Sequence, residues 1–119
     1  MSETSLCDRH GQSVAYLTRD GSIYTWSGRA VAYIVDYTRV YNWRGRHIGW
    51  WIDGVMYDHS GRRIGFLRER CPVVPRVERV KTEKLVRTVK DPRQAARVQP
   101  MLSTGLSEKP LVSFLGDES

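Results

Sequence analysis

Four copies of one short phrase occupy the first 70 residues, and each copy is centred on a glycine. The third copy shows the phrase clearly, as Tyr-Asn-Trp-Arg-Gly-Arg-His-Ile-Gly-Trp over residues 41–50. A unit this short cannot bury an apolar face by itself, so the four copies must build one core together. The central glycines are 17, 17 and 16 residues apart: Gly11, Gly28, Gly45 and Gly61.

Each copy has the pattern of a β-hairpin. A polar residue stands three positions before the glycine, as Asp8, Thr25, Asn42 or Asp58. Side chains of this kind bond the backbone of a type I turn, and glycine then accepts the positive φ that follows it. The flanking segments are rich in Val, Ile, Tyr and Trp, which favours strands. We therefore predict four hairpins, each with a bulge at its glycine.

Alternation along the second strand of each hairpin assigns two faces. Val31 and Tyr33 share one face, and Ala32 points to the other. We attribute the small residues at the Ala32 position to backbones that approach closely near a pseudo-four-fold axis; they are Ala15, Ala32, Gly49 and Gly65. The equivalents of Tyr33 are aromatic, which indicates packing in the core or between copies, or alternatively a ligand-stacking platform; they are Tyr16, Tyr33, Trp50 and Phe66.

The composition changes sharply near residues 71–72. The first 70 residues hold 11 of the 12 aromatic side chains and 10 Arg but no Lys, and the remainder holds every Lys. The predicted fold class is all-β, with four short hairpin repeats around a pseudo-four-fold axis and an extended, partly helical C-terminal tail. The predicted boundaries are a repeat domain over 1–71, with copies at about 5–21, 22–38, 39–54 and 55–70, and an extension over 72–119.

The extension offers weaker signals. Residues 76–97 carry 8 basic groups against 3 acidic ones, and the valines between them fit either a strand pair or a helix. Asp91 as an N-cap followed by Pro92 predicts a short helix near 92–98. The apolar segment 110–116 is typical of a docking peptide, which would bind either a partner or the chain's own core.

The repeat phrase resembles that of the four-fold β-flower proteins of bacteria. The resemblance covers about residues 5–70 and rests on four occurrences of a phrase of the type Tyr-Asp-x-x-Gly-Arg-x-Ile-Gly-Trp. It implies a small all-β domain of four hairpins around a pseudo-four-fold axis, followed by a tail rich in proline and basic residues. It implies no particular activity. The first copy departs from the pattern, with Cys7 in place of Tyr and Gln12 in place of Arg.

Motifs for catalysis are missing from the sequence. It has no phosphate-binding loop, no His-Glu-x-x-His, no Cys-x-x-Cys and no Gly-x-Ser-x-Gly. His10, His47 and His59 stand at different offsets from their glycines, so a symmetric ring would keep them apart. Asp8 and Asp58 are explained by their turn positions. We therefore expect no enzyme, no cofactor and no metal.

The two cysteines would become neighbours if the repeats close into a ring. Cys7 lies in the first copy and Cys71 directly follows the fourth. Two buried thiols are expected, with a disulfide as the alternative. So few cysteines favour a cytoplasmic location, and we expect no signal peptide and no membrane span.

Binding is the function that the arginines of the repeats suggest. Arg29, Arg46 and Arg62 each follow a turn glycine, so they would project from one rim and hold an acidic peptide, a nucleotide phosphate or a nucleic-acid backbone. Alternatively, each would stack on an aromatic ring and pair with Asp36 or Asp53. The candidate binding residues are Arg29, Arg46, Arg62, Trp26, Trp43, Phe114 and Leu115.

The net charge of +6 favours an acidic partner without identifying it. The leading hypothesis is a non-catalytic protein-interaction module, an accessory subunit whose rigid β domain docks on a larger assembly while its tail wraps the partner. A protein partner or a homo-oligomer would then order residues 72–119. The alternatives are nucleic-acid binding through the repeat arginines and the stretch 76–97, and binding of a small anionic ligand.

Overall fold

Eight antiparallel strands, joined in sequence order, form a closed barrel. The computed structural model describes residues 3–75, 83–85 and 90–115. The barrel closes where β1 pairs with β8, so the predicted all-β architecture of four hairpins is confirmed. The strands are β1 (Thr4–Cys7), β2 (Ser13–Leu17), β3 (Ser22–Thr25), β4 (Ala30–Val35), β5 (Arg39–Asn42), β6 (His47–Ile52), β7 (Val55–Tyr57) and β8 (Arg63–Leu67). A 3-10 turn over Arg68–Arg70 and a short helix α1 (Leu111–Phe114) follow.

The hairpin turns are built as the sequence predicts. In the first, the Gly11 amide donates to the Asp8 carbonyl and the Asp8 amide donates to the Gln12 carbonyl, both at 3.0 Å. The Asp8 carboxylate also accepts the amides of His10 and Gln12, at 2.9 and 3.0 Å. Each hairpin ladder shifts its register beside the turn, which is the expected bulge.

The barrel interior alternates large and small side chains. The first strand of each hairpin supplies a large residue, and the small residue of the second strand lies directly opposite it in the ladder. All eight side-chain positions are buried, so the four small residues are gathered inside one barrel. The pairs are Leu6 with Ala15, Ile23 with Ala32, Val40 with Gly49, and Met56 with Gly65.

Helix α1 explains part of the demand for small residues. A Cβ on Gly65 would lie 3.0 Å from Leu111 Cδ1, and one on Gly49 would lie 2.1 Å from the Tyr57 carbonyl oxygen and 2.9 Å from the Phe114 ring. Backbone crowding is therefore confirmed at Gly49 but wrong at Gly65, where the neighbour is a side chain. The C-terminal apolar segment docks on the chain's own core.

The described residues of the extension encircle the barrel. We call residues 72–75, 83–85 and 90–107 the belt. It passes the four hairpin glycines in order: Val74 lies beside Gly11, Glu83 beside Gly28, Pro92 beside Gly45 and Met101 beside Gly61. The backbone amides of Leu85, Gln94 and Ser103 donate to the carbonyls of Gly28, Gly45 and Gly61 at 2.8, 2.8 and 2.9 Å. These donors are nine residues apart.

The predicted helix near 92–98 is wrong. The Asp91 amide donates to the Trp43 carbonyl at 3.2 Å and the Gln94 amide to the Gly45 carbonyl, so these donors bond the barrel instead of a helix ladder. The strand or helix predicted around the valines at 77, 80, 86 and 89 lies outside the described residues, as does Gly116.

Aromatic pairs fill the seams between neighbouring copies on the outer face of the barrel. The Tyr16 and Tyr24 rings stack with centroids 5.7 Å apart, and Tyr33 and Tyr41 do so at 5.8 Å. The belt covers these pairs with cations, since Lys84 Nζ lies 5.4 Å from the Tyr24 ring centroid. The interpretation as packing between copies is confirmed, and these rings are too buried to be a ligand-stacking platform.

Candidate functional site

Five of the seven predicted binding residues line one cleft. It lies at the hairpin end of the barrel, which we define as the end formed by the four turns around Gly11, Gly28, Gly45 and Gly61. The cleft has a volume of about 360 Å³, and we call it the arginine cleft. It is lined by Arg29, Ala30, Val31, Asn42, Trp43, Arg44, Arg46, Ser113, Phe114 and Leu115.

Two neighbouring turns hold the arginines in place. The Asn42 carboxamide oxygen accepts the amides of Arg44 and Arg46, both at 3.0 Å, which fixes the backbone from which these side chains project. The Trp43 amide donates to the Val31 carbonyl at 3.1 Å. The Trp43 ring meets Tyr33 edge-on, with centroids 5.6 Å apart. The cleft is thus a preformed feature of the barrel end.

Helix α1 supplies the apolar floor of the cleft. Phe114 is half-buried and Leu115 is buried, and both belong to the barrel core. The C-terminal segment therefore serves the fold and the cleft together. Leu115 is not available as a surface anchor for a partner.

The cleft is positively charged and has no acidic lining residue. Arg29, Arg44 and Arg46 are exposed. Within the described part of the chain, the guanidinium groups of Arg44 and Arg46 make no hydrogen bond or ion pair. Guanidinium groups that project from an ordered turn into a cleft without an acidic lining residue favour a carboxylate or phosphate ligand.

The alternative pairing of the repeat arginines with Asp36 and Asp53 is wrong. Asp36 pairs with Arg39, and Asp53 pairs with Arg70 at 3.2 Å. Both aspartates lie in turns between copies, at the end of the barrel opposite the hairpin turns. An antiparallel meander places alternate turns at opposite ends, so the repeat arginines cannot reach them.

Two of the predicted residues lie outside the cleft. Arg62 is exposed on the fourth hairpin turn. Trp26 is only 6% exposed, and its indole Nε1 donates to the Ser13 carbonyl at 2.9 Å. Its ring packs on Tyr16, with centroids 5.2 Å apart. Trp26 is therefore part of the packing between copies.

The two ends of the barrel differ in charge. The turns at the hairpin end carry five arginines against two aspartates, and both aspartates accept hydrogen bonds within their own turns. The turns at the opposite end, which we call the linker end and which include the 3-10 turn after β8, carry three arginines against four acidic residues. The arginines of the hairpin end are Arg9, Arg29, Arg44, Arg46 and Arg62.

A histidine pair joins the barrel to the belt. His47 is 2% exposed, and its Nδ1 accepts the amide of Arg97 at 3.2 Å. His59 Nε2 donates to the His47 carbonyl at 2.7 Å. Burial lowers the pKa of both imidazoles, and the charge of nearby Arg97 lowers them further. Both rings are therefore neutral near pH 7.

The expectation that symmetry keeps the histidines apart is wrong for this pair. The His47 and His59 ring centroids are 5.7 Å apart. Pairing of β6 with β7 sets Trp50 opposite Tyr57, so non-equivalent positions of adjacent copies face each other. Across residues 3–75, 83–85 and 90–115, no three His, Cys, Asp or Glu side chains are grouped so that they could hold a metal ion.

Asp58 also connects its turn to the belt. Its carboxylate accepts the Ser60 amide at 2.9 Å, the Arg62 amide at 3.1 Å and the Ser107 hydroxyl at 2.6 Å. Burial raises the pKa of Asp58, but these hydrogen bonds together hold it below its usual value. The turn role predicted for this residue is confirmed.

The two cysteines are free thiols at the seam where the barrel closes. Cys7 is buried, and the Cys71 thiol lies 3.8 Å from the Asp8 carbonyl oxygen. Burial raises the pKa of Cys7 above its usual value. The closed barrel therefore brings the two segments together, as the sequence predicts.

The sequence does contain a signal for the belt. The phrase Val-x-x-Val-Lys occurs at residues 77–81 and again at 86–90, nine residues later. Nine is also the spacing of the belt amides that bond the hairpin carbonyls. A search of the extension for short periods would have found this nine-residue spacing. Arg44 was missed because it precedes its glycine, a position that varies among the copies.

These features define a small repeat-built β-barrel with a basic end and a belt that returns to its own core. A family model described as 4-fold beta flower protein matches residues 4–115, and the chain belongs to this family. The match extends through the barrel and the extension. No curated protein and no solved structure matched the chain. In the part of the chain that the structure describes, no helix is long and apolar enough to span a membrane.

Proposed function

We propose that this protein is a non-catalytic protein-interaction module that binds an acidic segment of a partner in the arginine cleft. The observation that supports the proposal best is the composition of that cleft. Three arginines surround a tryptophan and a phenylalanine, and no acidic side chain lines it. Arg, Trp and Phe are enriched at the centres of protein interfaces.

The ligand chemistry follows from the lining. Arg44 and Arg46 provide planar donors that fit carboxylates, and Trp43 and Phe114 provide apolar surface for a neighbouring large side chain. A single exposed ion pair contributes less than about 1 kcal/mol. Ion pairs alone are therefore too weak for specific binding, and contact with the rings is required in addition.

The belt supports docking on a preformed surface. Its described residues lie against the chain's own barrel, and the cations Lys84, Lys90 and Arg93 lie over tyrosine rings of that barrel. A partner therefore meets a cleft whose turns are already ordered, which lowers the entropic cost of binding. The proposal does not need the extension to wrap the partner. The free thiols favour the cytoplasm as the place where this accessory subunit acts.

The first prediction tests the cleft with an acidic peptide that contains one aromatic residue. Arg44→Gln combined with Arg46→Gln is expected to weaken binding at least tenfold in isothermal titration, because two of the three guanidinium groups are lost. Arg19→Gln combined with Arg62→Gln removes the same charge from exposed positions outside the cleft and serves as the matched control.

Three outcomes would contradict the proposed binding of an acidic segment, each in a different way. An equal loss in the control would mean that net charge alone drives binding. Tighter binding of single-stranded nucleic acid of equal charge would favour the nucleic-acid hypothesis, with a steep dependence on salt. Displacement of the peptide by millimolar inorganic phosphate would favour the small anionic ligand.

A further inference from the structure

Tyr37 is held in a backbone conformation that its side chain disfavours. It lies in the linker turn between the second and third copies, with φ of 65°, directly after Asp36 with φ of 51°. In the linker turn between the third and fourth copies, the corresponding residues are Asp53 with φ of 52° and Gly54 with φ of 78°. A bulky residue at positive φ is uncommon and costs stability, whereas glycine accepts it.

The Tyr37 side chain contributes little to the packing of the fold. The residue is 92% exposed, so its ring is almost fully hydrated. The other tyrosines of the barrel are buried or half-buried. A residue that costs stability and packs on nothing points to a role outside the monomer, and tyrosine is enriched among the residues that dominate binding energy.

The Asp36–Tyr37 turn has the chemistry that the arginine cleft accepts. It places the Asp36 carboxylate, which pairs with Arg39 of the next strand but has a side chain that is still 69% exposed, beside an exposed aromatic ring. It also lies at the linker end, whereas the cleft lies at the hairpin end. Each molecule therefore carries an acidic aromatic turn at one end and a basic aromatic cleft at the other.

We infer that the Asp36–Tyr37 turn of one copy docks in the arginine cleft of a second copy. The inference rests on the proposed function of the cleft, and it identifies one partner as this same chain. The Tyr37 ring lies against the guanidinium groups and the Trp43 ring, while Asp36 adds a carboxylate to the positive cleft. Such an interface is heterologous, because the two copies contribute different surfaces.

A heterologous interface has a geometric consequence. After one contact forms, the pair still has one unoccupied cleft and one unoccupied turn, so association continues as a ring or an open chain. Full-length protein is therefore expected to form species beyond the dimer with rising concentration. Salt is expected to weaken this association, since exposed charges contribute to it.

Two variants test the inference by sedimentation velocity. Tyr37→Gly is expected to raise the melting temperature, because glycine relieves the backbone strain, and to weaken self-association at least tenfold. Arg44→Gln combined with Arg46→Gln is expected to weaken self-association similarly. Val98→Ser, at another residue that is 93% exposed, is the control and is expected to associate like the wild type.

A mixture of the two variants gives the sharper result. The glycine variant retains its cleft and the glutamine variant retains its turn, so together they form one intact interface. At a concentration where each variant alone is monomeric, the mixture is expected to give 1:1 dimers and nothing larger.

Three outcomes would overturn the inference: a wild type that stays monomeric up to millimolar concentration, a Tyr37→Gly variant that associates normally, or a mixture that stays monomeric. The peptide titration keeps these failures separate from the proposed function. If the wild type binds the acidic peptide but does not self-associate, only the inference fails. If the glutamine variant binds the peptide as the wild type does, the proposed function fails.

Discussion

Gly45 meets two demands at once, one from its turn and one from the belt. Its φ is +81°, and a Cβ there would lie 2.1 Å from the Pro92 carbonyl oxygen. Its own carbonyl accepts the Gln94 amide. Gly21 has a similar φ of +87°, but the nearest atom to a Cβ there is the Ile34 carbonyl oxygen at 3.2 Å. The two positions therefore separate backbone strain from belt contact.

Gly45→Ala is expected to destabilise the protein more than Gly21→Ala does. Each alanine costs about 1–2 kcal/mol for the left-handed conformation. At Gly45 the belt must also move, which adds the loss of a hydrogen bond worth about 1 kcal/mol. Urea denaturation of both variants measures the difference. Equal free energies of unfolding would show that the belt does not press on this turn.

Helix α1 completes the core of the barrel. Leu111 and Leu115 are each 1% exposed and belong to the same cluster as Leu6, Ile23 and Val40. The neighbouring Val112 is 39% exposed. The barrel and the C-terminal segment thus share one apolar interior. Helix α1 packs the C-terminal part of the chain against strands from its N-terminal part.

Leu111→Ala is expected to lower the free energy of unfolding by about 2–5 kcal/mol, because it leaves a cavity in the interior beside Gly65. Val112→Ala, one residue further along, is expected to change it by less than about 0.5 kcal/mol. Chemical denaturation followed by tryptophan fluorescence measures both. Similar values for the two variants would mean that α1 does not pack in the barrel.

The free energy of unfolding of the whole molecule depends on pH, because burial and hydrogen bonds shift the pKa values of two histidines and an aspartate. Burial lowers the pKa of His47 and His59 below the usual value of 6.5. In the folded chain these imidazoles therefore bind protons only at a lower pH than they do in the unfolded chain. The unfolded chain then binds more protons, and stability falls as the pH drops below about 6.5. Asp58 acts at lower pH: its folded pKa lies below 3.8, so its stabilising contribution is lost as the pH falls below that value.

The melting temperature is therefore expected to be lower at pH 5.5 than at pH 7.5. His47→Asn is expected to reduce this drop, because the carboxamide can accept the Arg97 amide without titrating. His10 is exposed, so His10→Asn is the control and is expected to keep the full drop. Calorimetry at the two pH values measures the change. An undiminished drop in the His47 variant would locate the proton uptake elsewhere.

The fold was predictable because its information is local and repeated. Turn chemistry within five residues sets each hairpin, and alternation within each strand sets which side chains face inward. Four short copies that must share one core then favour a closed ring. The cleft was predictable in part: Arg29, Arg46, Trp43, Phe114 and Leu115 were predicted from the sequence, but nothing local showed that they lie together.

The sequence by itself determined the four hairpins, their bulged glycines and the aliphatic and aromatic faces of the barrel. Only the tertiary structure decided the path of the belt, the place of α1, and the contact of His47 with Arg97, which is 50 residues away. The residues near 92–98 show the reason. Their capping signals predict a helix, but the free carbonyls of the closed barrel offer their amides better partners, and those carbonyls are brought there by residues distant in the chain.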